Sequence, residues 1–285
     1  MKIVPLAFDS LGTRSMATYV ETKGLKLVID PAVSIAPNRF GLMPHKTEIA
    51  RMEKQWAEIK KMVKKSSVLI ITHYHYDHYN PEEPEIYKGK TVLLKNPLDN
   101  VNDSQAERAR EFIPKIKGIV KEIRYADGTE QRFGETRIVF SQPVFHGIDG
   151  RLGYVLEVLV DDGKERFLHT SDVEGPPLQD QVDFIMKHKP ATIFLDGPLS
   201  YMLYKFGNRA LESSFQNMKR IIEEAGTKNL VVDHHFLRDP QYHERIESVV
   251  EFGKEHGCRV CTAAEFAGKK VEPLEMKRRE LYGKK

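Results

Sequence analysis

The stretch Thr72-His73-Tyr74-His75-Tyr76-Asp77-His78 constrains this chain more than any other. Its three histidines and one aspartate can all bind a metal, and they follow directly on Ser67-Val68-Leu69-Ile70-Ile71. That short β-branched run with polar flanks reads as a fully buried strand. Neutral imidazole and carboxylate are the donors that suit zinc and its neighbours. Side chains alternate faces on an extended backbone, so His73 and His75 point the same way and can share one ion. Asp77 and His78 follow after a bend and can serve a second ion close by.

The flanking sequence supplies strands and helices in alternation. Residues 2–8, 16–21 and 24–30 read as strands, the third ending in Asp30-Pro31. A long loop over residues 32–46 holds Arg39 and His45; loops of this length often carry function. Thr47 can cap a helix in which Ile49, Met52, Trp56, Ile59 and Val63 recur every three or four residues. Its late lysines (60, 61, 64 and 65) match the helix dipole and read as a solvated helix end, not as a nucleic-acid patch. Asn80-Pro81-Glu82-Glu83 has the form of a helix start, and residues 103–117 read as a helix. Strands are expected at 91–95, 119–125, 130–133, 136–141, 154–160 and 166–169, then at 192–195 and 230–232 with helices after each. The tail from Lys269 is charged and is expected to be partly disordered.

The order His-x-His-x-Asp-His after a buried strand resembles the signature of the metallo-β-lactamase superfamily, and the resemblance runs from about Ile3 to about Thr262. Within that superfamily the chain resembles an archaeal branch without an assigned function. It implies an α/β (α+β) fold, a four-layer αβ/βα sandwich of two mixed β-sheets flanked by helices. Pattern alone supports only α/β or α+β. The domain would span residues 1–268, with 269–285 as the tail. The resemblance also implies three later ligands, each at a strand end. His146, in Phe145-His146-Gly147, would join His73 and His75 on the first ion. Asp172 would bridge both ions. In Asp233-His234-His235, one histidine would complete the second site with Asp77 and His78. The sequence does not decide which, though His234 comes first after the apolar run, as the family's last histidine usually does. His169 is left as a strand residue or a partner of a ligand, and Asp196 and Arg238 as residues near the same rim. The aromatic stretch over residues 201–206 is expected to pack under the next helix.

The chemistry implied is hydrolysis: a hydroxide between two divalent ions, zinc first and manganese second, attacks an ester-type bond. Asp77 is the catalytic candidate, orienting the hydroxide or passing its proton on. The superfamily's di-iron oxygen-reducing branch carries a carboxylate where this chain has His75, which turns the reading towards hydrolysis. Residues 173–233 leave no room for the large inserted domain of the family's RNA-processing nucleases. A small anionic substrate, a phosphodiester or lactone, is therefore favoured over nucleic acid. A compact nuclease is the second reading, motivated by the basic tail and a pI near 8.6. A metal-binding sensor or scaffold without turnover is the third.

Composition narrows these classes. A net charge of +3 over 285 residues is too small to imply a nucleic-acid partner. Met1-Lys2-Ile3-Val4-Pro5-Leu6 is too short and broken for a signal peptide, and no apolar run approaches a membrane span. A cytoplasmic protein is expected. Abundant Lys and Glu with two Cys suggest a thermophile. Those cysteines, Cys258 and Cys261, lie three apart on a short strand, so they diverge and read as packing residues.

Overall fold

Val68–Ile71 is buried on both faces, and its neighbours explain how. Val68 and Ile70 face one apolar cluster, Leu69 and Ile71 another. The computed structural model describes residues 1–284. In it this strand, β4, sits inside a six-stranded sheet with β1 (Lys2–Phe8), β2 (Met16–Glu21), β3 (Lys26–Ile29), β5 (Thr91–Leu94) and β6 (Glu122–Tyr125), in chain order across the sheet. β1 to β3 pair antiparallel, and β3 to β6 pair parallel.

The second sheet is seven-stranded. It is built from β7 (Glu130–Phe133), β8 (Thr136–Phe140), β11 (Val158–Asp161), β12 (Arg166–His169), β13 (Thr192–Asp196), β14 (Asn229–Asp233) and β15 (Arg259–Cys261), with β12 to β15 parallel. A small ribbon of β9 (Val144–Phe145) and β10 (Tyr154–Val155) stands beside it. The inner faces of the two sheets meet in one cluster, where Phe8, Met16 and Ile70 join Phe140, Val158, Phe194 and Val231. Helices α1 (Lys46–Lys65) and α2 (Asp103–Lys117) cover the outer face of the first sheet. α3 (Gln179–His188), α5 (Asn208–Glu224) and α6 (Tyr242–Glu255) cover the second; α4 (Leu203–Phe206), α7 (Ala263–Phe266) and α8 (Arg278–Leu281) are single turns. The layers are helix, sheet, sheet, helix. Parallel strands covered on both faces leave their C-terminal ends as the place where loops can converge.

Several local expectations are corrected. α1 is capped by His45: its Nδ1 accepts from the Thr47 backbone N–H at 3.2 Å, and Glu48 accepts from His45 N–H at 2.8 Å. No α-helix begins at Asn80. Asn80 Oδ1 instead takes the Glu82 N–H, and Pro84 holds Glu83 out of the helical region (φ −123°, ψ 64°). β6 starts only at Glu122, because Ile119 and Val120 still donate to Ile116 in the last turn after α2. Residues 154–160 split into β10 and β11, since Leu156 N–H turns to Thr72 O. α3 was not anticipated at all. Both cysteines are free, and Cys258 is buried.

The charged tail also departs from expectation. Arg278 is fully buried and donates through Nε and Nη2 to Glu48, and through its guanidinium to Leu42 O and Ala36 O. Glu275 takes a two-pronged pair from Arg14 at 2.6 and 2.7 Å. The charges read as a solvated tail are anchors of the loop over residues 31–45. Burial opposes ionisation of Glu275, but Arg14, Arg238 and Arg39 outweigh it and bring its carboxyl down to about 2.

Two predictions follow from these anchors. Arg278→Ala leaves Glu48 buried and unpaired, so stability falls by about 3–5 kcal/mol; in chemical denaturation the exposed-site control Arg279→Ala changes it by less than about 1 kcal/mol. An equal, small loss in both would mean that the tail adds nothing. Glu275 has a folded pKa below its ordinary 4.5, so its contribution is present above that value and is lost as pH falls towards about 2. Glu275→Gln should therefore melt well below the parent at pH 7, with the gap closing through that acid window.

Candidate metal centre

The loops that leave β3, β4, β12, β13 and β14 turn inward at the same end of the two sheets. Four non-glycine residues in these loops have positive φ: Asp30 (50°), Ser171 (55°), Glu174 (52°) and His234 (58°). Such backbone costs roughly 1–3 kcal/mol per residue and persists only where the surroundings hold it. In the loop after β4 the alternation holds. Tyr74 is buried and donates to Lys95 O at 2.6 Å, while His73 and His75 turn to the other side with ring centroids 4.6 Å apart.

The residues expected from the sequence meet there. One donor atom each from His73, His75, His146 and Asp172 lies within 4.8 Å of the others, and so do those of Asp77, His78 and His234. Asp172 lies between the two groups, and its Oδ2 is near members of both. Oδ1 is 3.1 Å from His78 Nε2; Oδ2 is 3.2 Å from His146 Nε2, 3.4 Å from His234 Nε2 and 3.6 Å from His73 Nε2. His235 is grouped both with His146 and Glu174 and with Asp172 and His234.

The buried donor atoms fit a cation. Nε2 of His73, His78 and His146 and Oδ1 of Asp172 are buried without a hydrogen-bond partner. Unpaired buried polar atoms cost about 1–3 kcal/mol each, so several aimed at one spot make a ligand set.

Several of the rings are held from behind. Asp30 Oδ2 accepts from His78 Nδ1 at 2.8 Å, and its two oxygens also take Thr72 N–H and Oγ1–H. Asp9 Oδ2 accepts from His234 Nδ1 at 2.7 Å, and Oδ1 from Arg238 Nε at 2.9 Å. Asp196 accepts from His235 Nδ1 at 3.0 Å, and Glu174 Oε1 lies 3.4 Å from His146 Nδ1. A carboxylate at Nδ1 fixes the tautomer and leaves Nε2 free for an ion. His73 Nδ1 has hydroxyls instead, Thr72 and Ser171, both at 3.2 Å.

Electrostatics follow this layout. Burial pushes His73 and His235 well below the usual imidazole range, and His75 down to about 3. Burial also opposes charge on His146 and His234, but Asp172 with Glu174 or Asp9 outweighs it and holds both at about 10. Burial acts to raise Asp77, yet His78 and His234 bring it to about 2, so it is a carboxylate at neutral pH.

Asp9 and Glu174 escaped sequence reasoning. Asp9 meets a ring 225 positions away, and nothing local marks either residue. Asp30 had been seen only as a strand end. Arg238 is committed to Asp9, and His169 donates to Met16 O, tying β12 to β2 outside the cluster. Tyr201, Met202, Lys205 and Phe206 do not merely pack under α5; they line a cavity of about 370 Å3 whose inner end is His146, Glu174 and His235.

Gln181 on α3 was also missed. It is buried, and its Nε2 lies 3.0 Å from Phe145 O, 2.8 Å from Gly147 O and 3.3 Å from Val173 O. One amide thus braces the loops that carry His146 and Asp172. Gln181→Leu strands those carbonyls, and denaturant melts should show a loss of about 1–3 kcal/mol. A loss under about 0.5 kcal/mol would mean that the amide braces nothing.

Comparison with known proteins agrees with this geometry. The family model described as "Metallo-beta-lactamase superfamily" matches residues 12–221. A UPF0282 protein of Korarchaeum cryptofilum is 50% identical over 284 residues, covering 99% of this chain and 94% of that protein. The UPF0282 protein MJ1629 of Methanocaldococcus jannaschii is 42% identical, covering 99% and 96%. Among solved structures, the metallo-beta-lactamase fold protein YhfI from Bacillus subtilis superposes with a TM-score of 0.57 at 16% identity, covering 95% of this chain and 96% of that one. The chain belongs to the metallo-beta-lactamase superfamily, among the archaeal UPF0282 proteins.

Proposed function

We propose that the protein is a metal-dependent hydrolase that uses two divalent cations on an ester-type bond of a small substrate. The observation that carries this reading is Asp172, a buried carboxylate that lies between the two donor groups, Oδ1 near His78 and Oδ2 near His73, His146 and His234. A carboxylate so placed can give one oxygen to each of two ions, whose charges need negative density between them. His73, His75 and His146 are assigned to the first ion, Asp77, His78 and His234 to the second. His234 is preferred over His235 because its Nε2 lies 3.7 Å from Asp77 Oδ2. All-imidazole and carboxylate donors suit zinc first and manganese second.

When bound, the ions supply an activated water, its pKa moved from about 15.7 to about 7, on the order of 12 kcal/mol of easier deprotonation. The chain does the positioning. Asp30 and Asp9 accept from Nδ1 of His78 and His234 and keep their Nε2 atoms directed inward, and Glu174 stands 3.4 Å behind His146. Asp77, ionised and partly exposed, is placed to orient the nucleophile or to relay a proton to the leaving group. The adjacent cavity is of small-molecule size, which favours a compact substrate over a polynucleotide.

Elemental analysis of the purified protein is expected to find two ions per chain, and a chelator should abolish hydrolysis of aryl esters or of bis-aryl phosphates. Alanine at both His73 and His75 should remove the metal; unchanged content would overturn the assignment. Asp9→Ala or Asp30→Ala, acting only through a ring, should weaken metal affinity about 10–100-fold without abolishing it. Full metal content with no hydrolysis of either ester class would make the protein a sensor or scaffold instead.

A further inference from the structure

The cavity beside the clustered imidazoles bears on the kind of molecule that is cleaved. Its walls are Ile148, Leu152, Leu199, Met202 and Phe206. The charges around it nearly cancel. Arg151 Nε donates to both oxygens of Asp149, at 2.8 and 3.0 Å, so that pair is neutral. Lys205 is exposed, and among the described residues it has no carboxylate partner. Against it stands Glu174, buried at the inner end, with Oε1 unpaired. A charged group lodged in this cavity away from the assigned ions would meet one exposed lysine, a buried carboxylate and an apolar wall. Desolvating its charges would go uncompensated. A hydrocarbon arm would gain about 0.8 kcal/mol for each buried methylene.

We propose that this cavity receives the short apolar arm of a carboxylic ester or lactone, with the acyl carbon at the His146 and His235 end and the chain along Leu199, Met202 and Phe206. The inference rests on the hydrolase reading and narrows it, setting acyl esters ahead of phosphodiesters. In the reaction the acyl C–O bond breaks and a new C–O bond forms to the water oxygen. One water proton goes to the departing alkoxide and the other to solvent, giving an alcohol and a carboxylate. A linear alkanoate therefore has the shape of the product and probes the cavity without turnover.

The test is calorimetric titration of the zinc-loaded full chain with acetate, butanoate, hexanoate and octanoate, beside dimethyl phosphate. Affinity should rise about fourfold per methylene until the cavity is full, the ratio that transfer of one methylene from water supplies. Met202→Trp should end that rise at a shorter chain, with zinc content and melting temperature unchanged. Leu152→Trp, at a 44% exposed position, serves the same purpose if Met202→Trp does not fold. Equal affinity along the series, or tighter binding of dimethyl phosphate than of octanoate, overturns the inference. Hydrolysis separates the two readings. Zinc-dependent cleavage of 4-nitrophenyl alkanoates, faster with the longer arm, supports both. Cleavage of bis(4-nitrophenyl) phosphate in preference to the alkanoates overturns the acyl inference and leaves the hydrolase reading standing. Chain-length-dependent binding with neither ester cleaved keeps the cavity's apolar occupant and overturns the hydrolase reading.

Discussion

A single buried carboxylate, Asp172, sits among four imidazole nitrogens, and the site depends on how its charge is met. Burial alone would make it neutral, but His78, His234, His73 and His146 hold it well below the usual carboxylate range. The same contact, read from the other side, keeps His78 well above the imidazole range and His146 and His234 at about 10. The fold thus requires positive charge at one point between its sheets. Protons meet the requirement when they are the only cations at hand. Metal ions would meet it through the Nε2 atoms of His73, His78 and His146, which are buried without hydrogen-bond partners.

A second layer makes that point a fixed one. Asp9, Asp30, Glu174 and Asp196 come from four separate segments, and each meets the Nδ1 side of one ring. Backbone amides and hydroxyls in turn hold the carboxylates: Thr72 for Asp30, Glu174 N–H and His235 N–H for Asp196. Strained turns at Asp30, Ser171, Glu174 and His234 are the cost of bringing these groups into one plane of approach. Two buried sheets with parallel strands supply the rigid frame against which that strain can be held.

How much of this was legible in the sequence varies with the range of the interaction. The ligand loop was legible because strand alternation and donor spacing are local, and the two-sided burial of β4 follows from its unbroken apolar run. His146, Asp172 and His234 were found through the family resemblance, not from periodicity, since each is one polar residue at the end of a strand. The carboxylates behind the rings were mostly invisible. Asp9 and His234 are far apart in the chain, and no local pattern marks a residue whose partner is set by the tertiary fold. The same reason explains the tail. Arg278 and Glu275 look like solvated charge in a run of lysines, and only the loop over residues 31–45 gives them partners. Thr47 lost the cap to His45 through a two-residue shift that side-chain chemistry alone does not decide.

The distance between Asp9 and His234 along the chain has a temporal side. A ribosome emits residue 172 well before residue 234, so the donors of His73, His75, His146 and Asp172 exist together while His234 is still unmade. Arg238, which shares Asp9 with His234, arrives later again, and Glu275 and Arg278, which fasten the neighbouring loop, later still. The half of the centre that contains His234 is closed by contacts of very long sequence separation, the kind that form slowly. A newborn chain therefore passes through a stage at which every residue of one donor set has been made while the other set still lacks His234.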